Sequence, residues 1–184
     1  MQNNDYLPAG RQVCGMDEVG RGALAGPLVA AAVVFGTRYS VSSLRDSKKL
    51  TAKKRNEIFE EIKKSGILFE IEFINVEEIN KFGIGWANKE IFRRLRSKIV
   101  ADIYIADGNL RIDDVKSVIK ADDQIPEVMA ASIIAKVTRD RYMCSLQNDY
   151  SWVSNKGYGT KRHIDALKLI GPCPHHRTKF IRNI

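Results

Sequence analysis

Apolar positions run along this chain in two rhythms, and the rhythm changes wherever glycine, proline or aspartate interrupts. Residues 13–18 and 28–35 are short, almost unbroken apolar runs, the second rich in valine and alanine. They predict buried strands joined by a glycine-rich turn. Thr51 then offers an N-cap for a helix with Ile58 and Ile62 on its inner side and Gly66 as its stop. Residues 68–74 alternate and predict a strand. Helical spacing returns at 76–81 and 86–98, the latter carrying Arg93, Arg94, Arg96 and Lys98. Two more short strands are predicted at 103–106, ending in Asp107-Gly108-Asn109, and at 115–120, ending in Ala121-Asp122-Asp123. Pro126 opens a long helix to about residue 150, and a last helix covers 163–170. Phe59, Phe69, Phe73, Trp86 and Phe92 are the aromatic candidates for the core. No repeat or low-complexity linker divides the chain. The expectation is one α/β domain over 1–184, with a basic, helical C-terminal part from about 156 to 184.

Composition narrows the partners. The chain has 184 residues, 44% hydrophobic and 28% charged, enough for one well-buried core. Thirty Lys and Arg against 22 Asp and Glu give a net charge of +8. Such a surplus favours an anionic partner, nucleic acid being the usual one, though charge alone does not exclude a membrane surface. The longest apolar run, 23–35, contains Gly26 and Pro27 and is too short to span a bilayer. The start, Met1-Gln2-Asn3-Asn4-Asp5, lacks the basic-then-apolar layout of a secretory signal. Cys14, Cys144 and Cys173 are odd in number and widely spaced, which argues against a disulfide framework and for a reducing cytoplasm.

The chemistry gathers at strand ends. Asp17 and Glu18 lie inside an apolar segment, where carboxylates are costly to bury without a cation or a hydrogen-bond network. They precede Gly20-Arg21-Gly22, a turn that admits close backbone approach while a guanidinium reaches a phosphate. Asp107 and the pair Asp122-Asp123 end two further strands. Taken singly, Asp107 and the pair Asp122-Asp123 each read more readily as plain turn acids. Their recurrence at three strand ends, where α/β sheets place their ligands, points instead to a shared site. Such acids repel one another unless divalent cations neutralise them, and hard oxygen donors suit Mg²⁺ or Mn²⁺. Two cations there would activate a water and stabilise the departing oxygen of a phosphodiester. Adjacent strand residues face opposite ways, so Asp17 and Glu18 share one site only if the strand is ending or twisted, or if a main-chain oxygen substitutes.

The histidines (His163, His175 and His176) all come late, which disfavours a histidine acid–base pair attacking through the 2′-hydroxyl. Water as nucleophile would leave a 5′-phosphate and a 3′-hydroxyl. The 2′-hydroxyl, the group that separates RNA from DNA, would then serve recognition. Tyr158, between glycines in a basic loop, can lay its ring against a sugar lacking that hydroxyl, although on these residues alone an ordinary surface tyrosine is the stronger reading. Ser47 and Lys48 are candidate phosphate holders, as are Lys49, Lys136, Arg139, Lys156, Lys161, Arg162, Arg177 and Lys179, of which a minority would touch substrate. Lys136 and Arg139, three apart, can share a helix face. Cys173-Pro174-His175-His176 offers too few ligands for zinc.

Asp17-Glu18-Val19-Gly20-Arg21-Gly22 with Ala25-Gly26-Pro27, and then Asp46-Ser47-Lys48-Lys49-Leu50, resembles the N-terminal signature of ribonuclease HII. Ala106-Asp107-Gly108, the stretch Ala131-Ser132-Ile133-Ile134-Ala135-Lys136-Val137-Thr138-Arg139-Asp140, and Lys156-Gly157-Tyr158-Gly159-Thr160 through His163 follow in the family's order. The similarity runs from about residue 13 to 180. It implies a ribonuclease H-like fold, a mixed sheet flanked by helices. It also implies a monomeric divalent-metal endonuclease that cuts the RNA strand of RNA/DNA hybrids and single ribonucleotides within a DNA duplex. By the same resemblance Asp17, Glu18 and Asp107 are the metal-binding carboxylates and Asp122 the fourth catalytic acid. Gly20, Arg21 and Gly22 read the ribose 2′-hydroxyl, and Tyr158 stacks on the neighbouring deoxyribose. Val19 stands where alanine is more usual, and Ala121 where glycine usually precedes the fourth acid, which leaves Asp122 and Asp123 as alternatives.

Overall fold

The computed structural model describes residues 10–36, 50–146 and 149–184, so Ser47, Lys48 and Lys49 lie outside the described residues. Five strands form one sheet: β1 (Val13–Val19), β2 (Leu28–Val34), β3 (Leu68–Ile74), β4 (Ile103–Asp107) and β5 (Lys116–Val118). The order is β3-β2-β1-β4-β5. β1, β2 and β3 pair antiparallel, while β4 and β5 run parallel to β1, so the sheet is mixed. Around it lie α1 (Ala52–Lys64), α2 (Val76–Phe82), α3 (Ile84–Lys98), α4 (Pro126–Ser145), α5 (Trp152–Asn155), α6 (Lys161–Ile170) and α7 (Thr178–Ile181).

Strand alternation sorts side chains between two layers. Cys14, Met16, Leu28, Ala30, Ala32, Tyr104 and Ala106 face α3, meeting Ile91, Phe92 and Leu95. Ala31 and Val33 face α1 and α4, against Ile58, Ile62, Ala131, Ile134 and Ala135. Val13, Ile103 and Ile105 meet Ile125 and Val128 at the start of α4. All seven residues of β2 are buried because helices cover both its faces. Alanines on strand and helix let α4 lie close to the sheet. At Gly15 the approach is closer still: a Cβ there would sit 2.3 Å from the Glu127–Val128 backbone.

Local signals explain most boundaries. Thr51 accepts from the Lys54 amide to cap α1, and Asn75 with Glu78 forms a capping box on α2. Four expectations are corrected. The long helix stops at Ser145, not near residue 150, because Leu146 turns extended. β5 keeps only three residues, since Lys120 adopts a left-handed conformation (φ 60°) that ends it. The last long helix begins at Lys161, with Thr160 as its cap. Phe73 is 37% exposed, its ring 5.9 Å from that of Tyr142, and is not a core residue. Among the described residues no helix is long and apolar enough to cross a membrane. All three cysteines are free thiols, and burial pushes the Cys14 thiol up to about 12.

Candidate active site

The carboxylates sit where β1 and β4 end side by side. These strands are parallel and pair Met16 with Ala106, so Asp17 and Asp107 follow at neighbouring positions. Alternation puts both on the α4 side: Asp107 continues the series Ile103, Ile105, and Asp17 is hydrogen-bonded by Ser132 of α4. The amide of Ala121 donates to Asp107 Oδ1 at 2.8 Å, which fastens the 3₁₀ turn Ala121–Asp123 to the strand end. That turn buries Asp122 and leaves Asp123 exposed. The alanine at 121 fits without strain, packed with Val13, Ile105 and Ile125.

Glu18 lies beyond Asp17 near the end of β1, and its amide donates to Asp17 Oδ1 at 2.8 Å. Its side chain is only 8% exposed, and Arg21 reaches it weakly at 3.5 Å. Burial raises the Asp17 carboxyl to about 8; the hydrogen bond from Ser132 opposes this, while the charges of Glu18 and Asp107 add to it. Glu18 is also raised, by burial first, against the lowering effect of Arg21, with Asp107 raising it further. Both β1 acids therefore feel Asp107, although alternation aims them apart. Among the described residues no three such side chains are gathered as a ready-made ion cage. What the fold supplies is hard oxygen donors held within electrostatic reach in a buried setting, with the exposed Arg21 beside Glu18. That donor set fits a divalent cation such as Mn²⁺ or Mg²⁺.

Residues 20–27 are held from below by two arginines, each fully buried. Arg177 donates Nε to Gly26 O at 2.9 Å and Nη1 to Gly20 O at 2.7 Å and Arg21 O at 3.1 Å. Arg139 donates Nε to Pro27 O at 2.9 Å, Nη2 to Ala25 O at 3.0 Å and Nη1 to Lys156 O at 2.9 Å. Burial lowers both guanidinium groups, Arg177 to about 9 with the Arg139 charge adding to the effect. These two were expected among the phosphate holders; the structure makes them supports for the turn instead. A helix repeat explains Arg139: it lies seven residues after Ser132, two turns along the same face, and so points where Ser132 points. Lys136 turns elsewhere, to Asp140 at 2.8 Å.

The two glycines of the turn differ. Gly20 has φ +100°, and a Cβ there would meet Arg139 Nε at 2.3 Å, whereas at Gly22 a Cβ would have nothing within 4 Å. Gly20 is required by the protein's own packing, and Gly22 faces open space. Tyr158 lies against this turn: Gly157 O accepts from the amides of Leu24 (2.8 Å) and Ala25 (3.2 Å). The Arg139 guanidinium carbon sits 5.2 Å from the centre of the half-exposed Tyr158 ring.

A buried polar chain backs both segments. His163 Nδ1 lies 2.9 Å from Tyr158 O, and its Nε2 is 3.2 Å from Trp152 Nε1 and 3.0 Å from His176 Nε2. The Cys173 amide donates to His176 Nδ1 at 3.0 Å. The pattern closes only if both rings are neutral, with His163 protonated on Nδ1 and His176 on Nε2. Burial accordingly lowers both, His176 to about 4. Gly26 donates to His175 O at 2.9 Å, tying the turn to the same stretch. Sequence reading missed Ser132 as a partner of Asp17, as well as this histidine relay; a serine within the apolar run Ala131-Ser132-Ile133-Ile134 was the available signal. Lys156 folds back onto Val153 O and Cys144 Sγ, and Lys161 pairs with Asp165 at 2.7 Å.

Comparison with known proteins gives a consistent picture. The sequence profile for ribonuclease HII matches residues 14–183. The ribonuclease HII of Caldicellulosiruptor bescii is 41% identical over 95% of this chain and 88% of that protein. The Wolbachia sp. subsp. Brugia malayi ribonuclease HII is 46% identical over 91% and 87% respectively. Among solved structures, the Archaeoglobus fulgidus RNase HII described in complex with PCNA superposes with a TM-score of 0.80 at 28% identity, covering 94% of this chain and 95% of that one.

Proposed function

This chain belongs to the ribonuclease HII family, a family of divalent-metal-dependent endonucleases acting on the RNA of RNA/DNA hybrids, and on that premise we propose how its own residues act. Asp17, Glu18 and Asp107 hold the cations, with Asp122 as the fourth catalytic acid. The observation that carries this reading is the adjacency of Asp17 and Asp107 at the ends of parallel strands, with the buried Asp122 on a turn hydrogen-bonded to Asp107. Two Mn²⁺ or Mg²⁺ ions held there would supply a lowered water pKa and neutralise charge on the departing oxygen, chemistry that would leave a 5′-phosphate and a 3′-hydroxyl.

The remaining work falls to the protein. Ser132 and the Glu18 amide fix the orientation of the Asp17 carboxyl beside Asp107. Gly22, open to its surroundings, lets the backbone meet a ribose 2′-hydroxyl, while the exposed Arg21 can leave its long contact with Glu18 for a phosphate. The Tyr158 ring lies against the next sugar where that hydroxyl is missing. Together they select a ribonucleotide-to-deoxyribonucleotide step and cut 5′ of a single embedded ribonucleotide. Ser47 and Lys48 are proposed to hold phosphates at the entry to α1. The chain works as a monomeric single domain whose 156–184 part contacts the duplex, in the cytoplasm, where its three thiols remain reduced.

The test is Asp17→Asn, assayed for Mn²⁺- or Mg²⁺-dependent nicking of a duplex carrying one ribonucleotide, with circular dichroism to establish the fold. Loss of several kcal/mol of transition-state stabilisation predicts a fall of about 10³-fold or more. Turnover equal to wild type in a folded variant removes the carboxylate assignment.

A further inference from the structure

Among the described residues Arg139 donates hydrogen bonds beside both segments assigned above to reading the sugar. Its fork donates to Ala25 O and Pro27 O, just after the Gly20-Arg21-Gly22 turn, and to Lys156 O, two residues before Tyr158. Its face lies under the Tyr158 ring, 5.2 Å from the ring centre. Its stem occupies the space a Cβ at Gly20 would need. Arg177, equally buried, donates its hydrogen bonds among the described residues on the turn side, at Gly20, Arg21 and Gly26, and its guanidinium lies over Phe180. One planar group therefore packs beneath Gly20, holds the 25–27 stretch that follows the turn, and ties both to the backbone and ring of the Tyr158 segment. A lysine in its place keeps a charge but loses the fork and the stacking face.

We propose that Arg139 is a positioning residue that sets the spacing between the Gly20-Arg21-Gly22 turn and the Tyr158 ring, and through that spacing the preference for an isolated ribonucleotide over a continuous RNA strand. In a continuous hybrid every sugar carries a 2′-hydroxyl, so the ring has no bare sugar to rest on and its exact seat matters less. At a single ribonucleotide the turn must reach the 2′-hydroxyl while the ring reaches the adjoining deoxyribose. An error of about 1 Å between them then falls on that substrate alone. The inference rests on the sugar-reading roles proposed above.

The experiment is a double-mutant cycle on the full chain with Arg139→Lys and Tyr158→Ala, measuring kcat and KM on a duplex with one ribonucleotide and on an uninterrupted RNA/DNA hybrid. Mn²⁺ binding is followed by calorimetry. The expected result is a drop of about tenfold in the single-ribonucleotide to hybrid ratio of kcat/KM for Arg139→Lys, with Mn²⁺ affinity unchanged. Adding Arg139→Lys to Tyr158→Ala should lower the ratio little further, as coupled sites do. Equal losses on both duplexes, or ratios that multiply in the double variant, would overturn the coupling and leave Arg139 a packing residue. Should Arg139→Lys not fold, Arg139→Gln, which keeps a planar donor, runs through the same cycle with the same criteria. A wild-type enzyme that cuts neither duplex defeats the functional reading and this inference together, whereas a wild type without preference between them, or a preference that survives in the Arg139 variants, defeats this inference alone.

Discussion

At the scale of single residues, burial of Asp17 beside two other acids has a titration consequence. Its carboxyl is raised to about 8 in the fold against about 3.8 in the unfolded chain, so the folded protein binds the proton more tightly. Stability from this group is full below about pH 4 and is lost as pH rises through 8. The histidine pair has the opposite sign. His176 is lowered to about 4 and His163 is lowered too, so their stability is present above 6.5 and is lost as pH falls towards 4. Between 6.5 and 8 the histidines no longer contribute and the Asp17 effect dominates, with Glu18, raised by burial in the same direction, adding to it. The melting midpoint of the metal-free protein should fall across that window, and saturating Mn²⁺ should reverse the trend, because binding displaces the proton. A midpoint flat in pH without metal contradicts the burial of this acid. In an Asp17→Asn background the fall between 6.5 and 8 should shrink while the acid-side loss between 6.5 and 4 persists. The turn glycines separate in the same way. Gly20→Ala drives a Cβ into Arg139 and should cost about 1–3 kcal/mol in denaturant melts. Gly22→Ala meets nothing, so a loss of cleavage with unchanged stability there reports contact with substrate.

Secondary elements show what the sequence could and could not disclose. The apolar runs, the Thr51 cap and the acids at strand ends placed all five strands and the main helices, because those signals are local. Four-residue helices such as α5 and α7 carry too few turns for a period to register. The burial of Arg139 and Arg177 was equally hidden. Nothing local distinguishes an arginine bound to main-chain carbonyls 112 to 157 residues away from one facing solvent. Only the helix repeat from Ser132 to Arg139 hinted at it. Strand β1 illustrates a further limit: its glycine at 15 reads as a weak strand residue, yet the backbone of α4 occupies that space. Gly15→Ala should therefore destabilise the protein by about 1–3 kcal/mol in chemical denaturation, where helix or strand propensity alone would forecast a gain. A stabilised variant would show that α4 does not press on β1 as closely as described.

Across the whole molecule, positive charge and the acidic site divide the labour. A net charge of +8 coexists with a cluster of buried acids, so the surface attracts a polyanion that the site itself repels until cations are bound. The surface term predicts that KM for duplex substrates rises steeply with salt while kcat changes little; a salt-independent KM would mean that phosphate contacts contribute little to binding. Sequence reading captured this division of charge, since composition and acid placement need no long-range geometry. It did not capture the histidine relay behind Tyr158, which needs α5, α6 and the 171–177 stretch to meet. The central claim is that the enzyme chooses its phosphodiester by the sugar on one side of it. The most direct measurement compares Mn²⁺-dependent scission of two duplexes identical in sequence, one with a single ribonucleotide and one all-deoxy. Cutting confined to the bond 5′ of the ribonucleotide is the predicted result, and equal cutting of the all-deoxy duplex would contradict it.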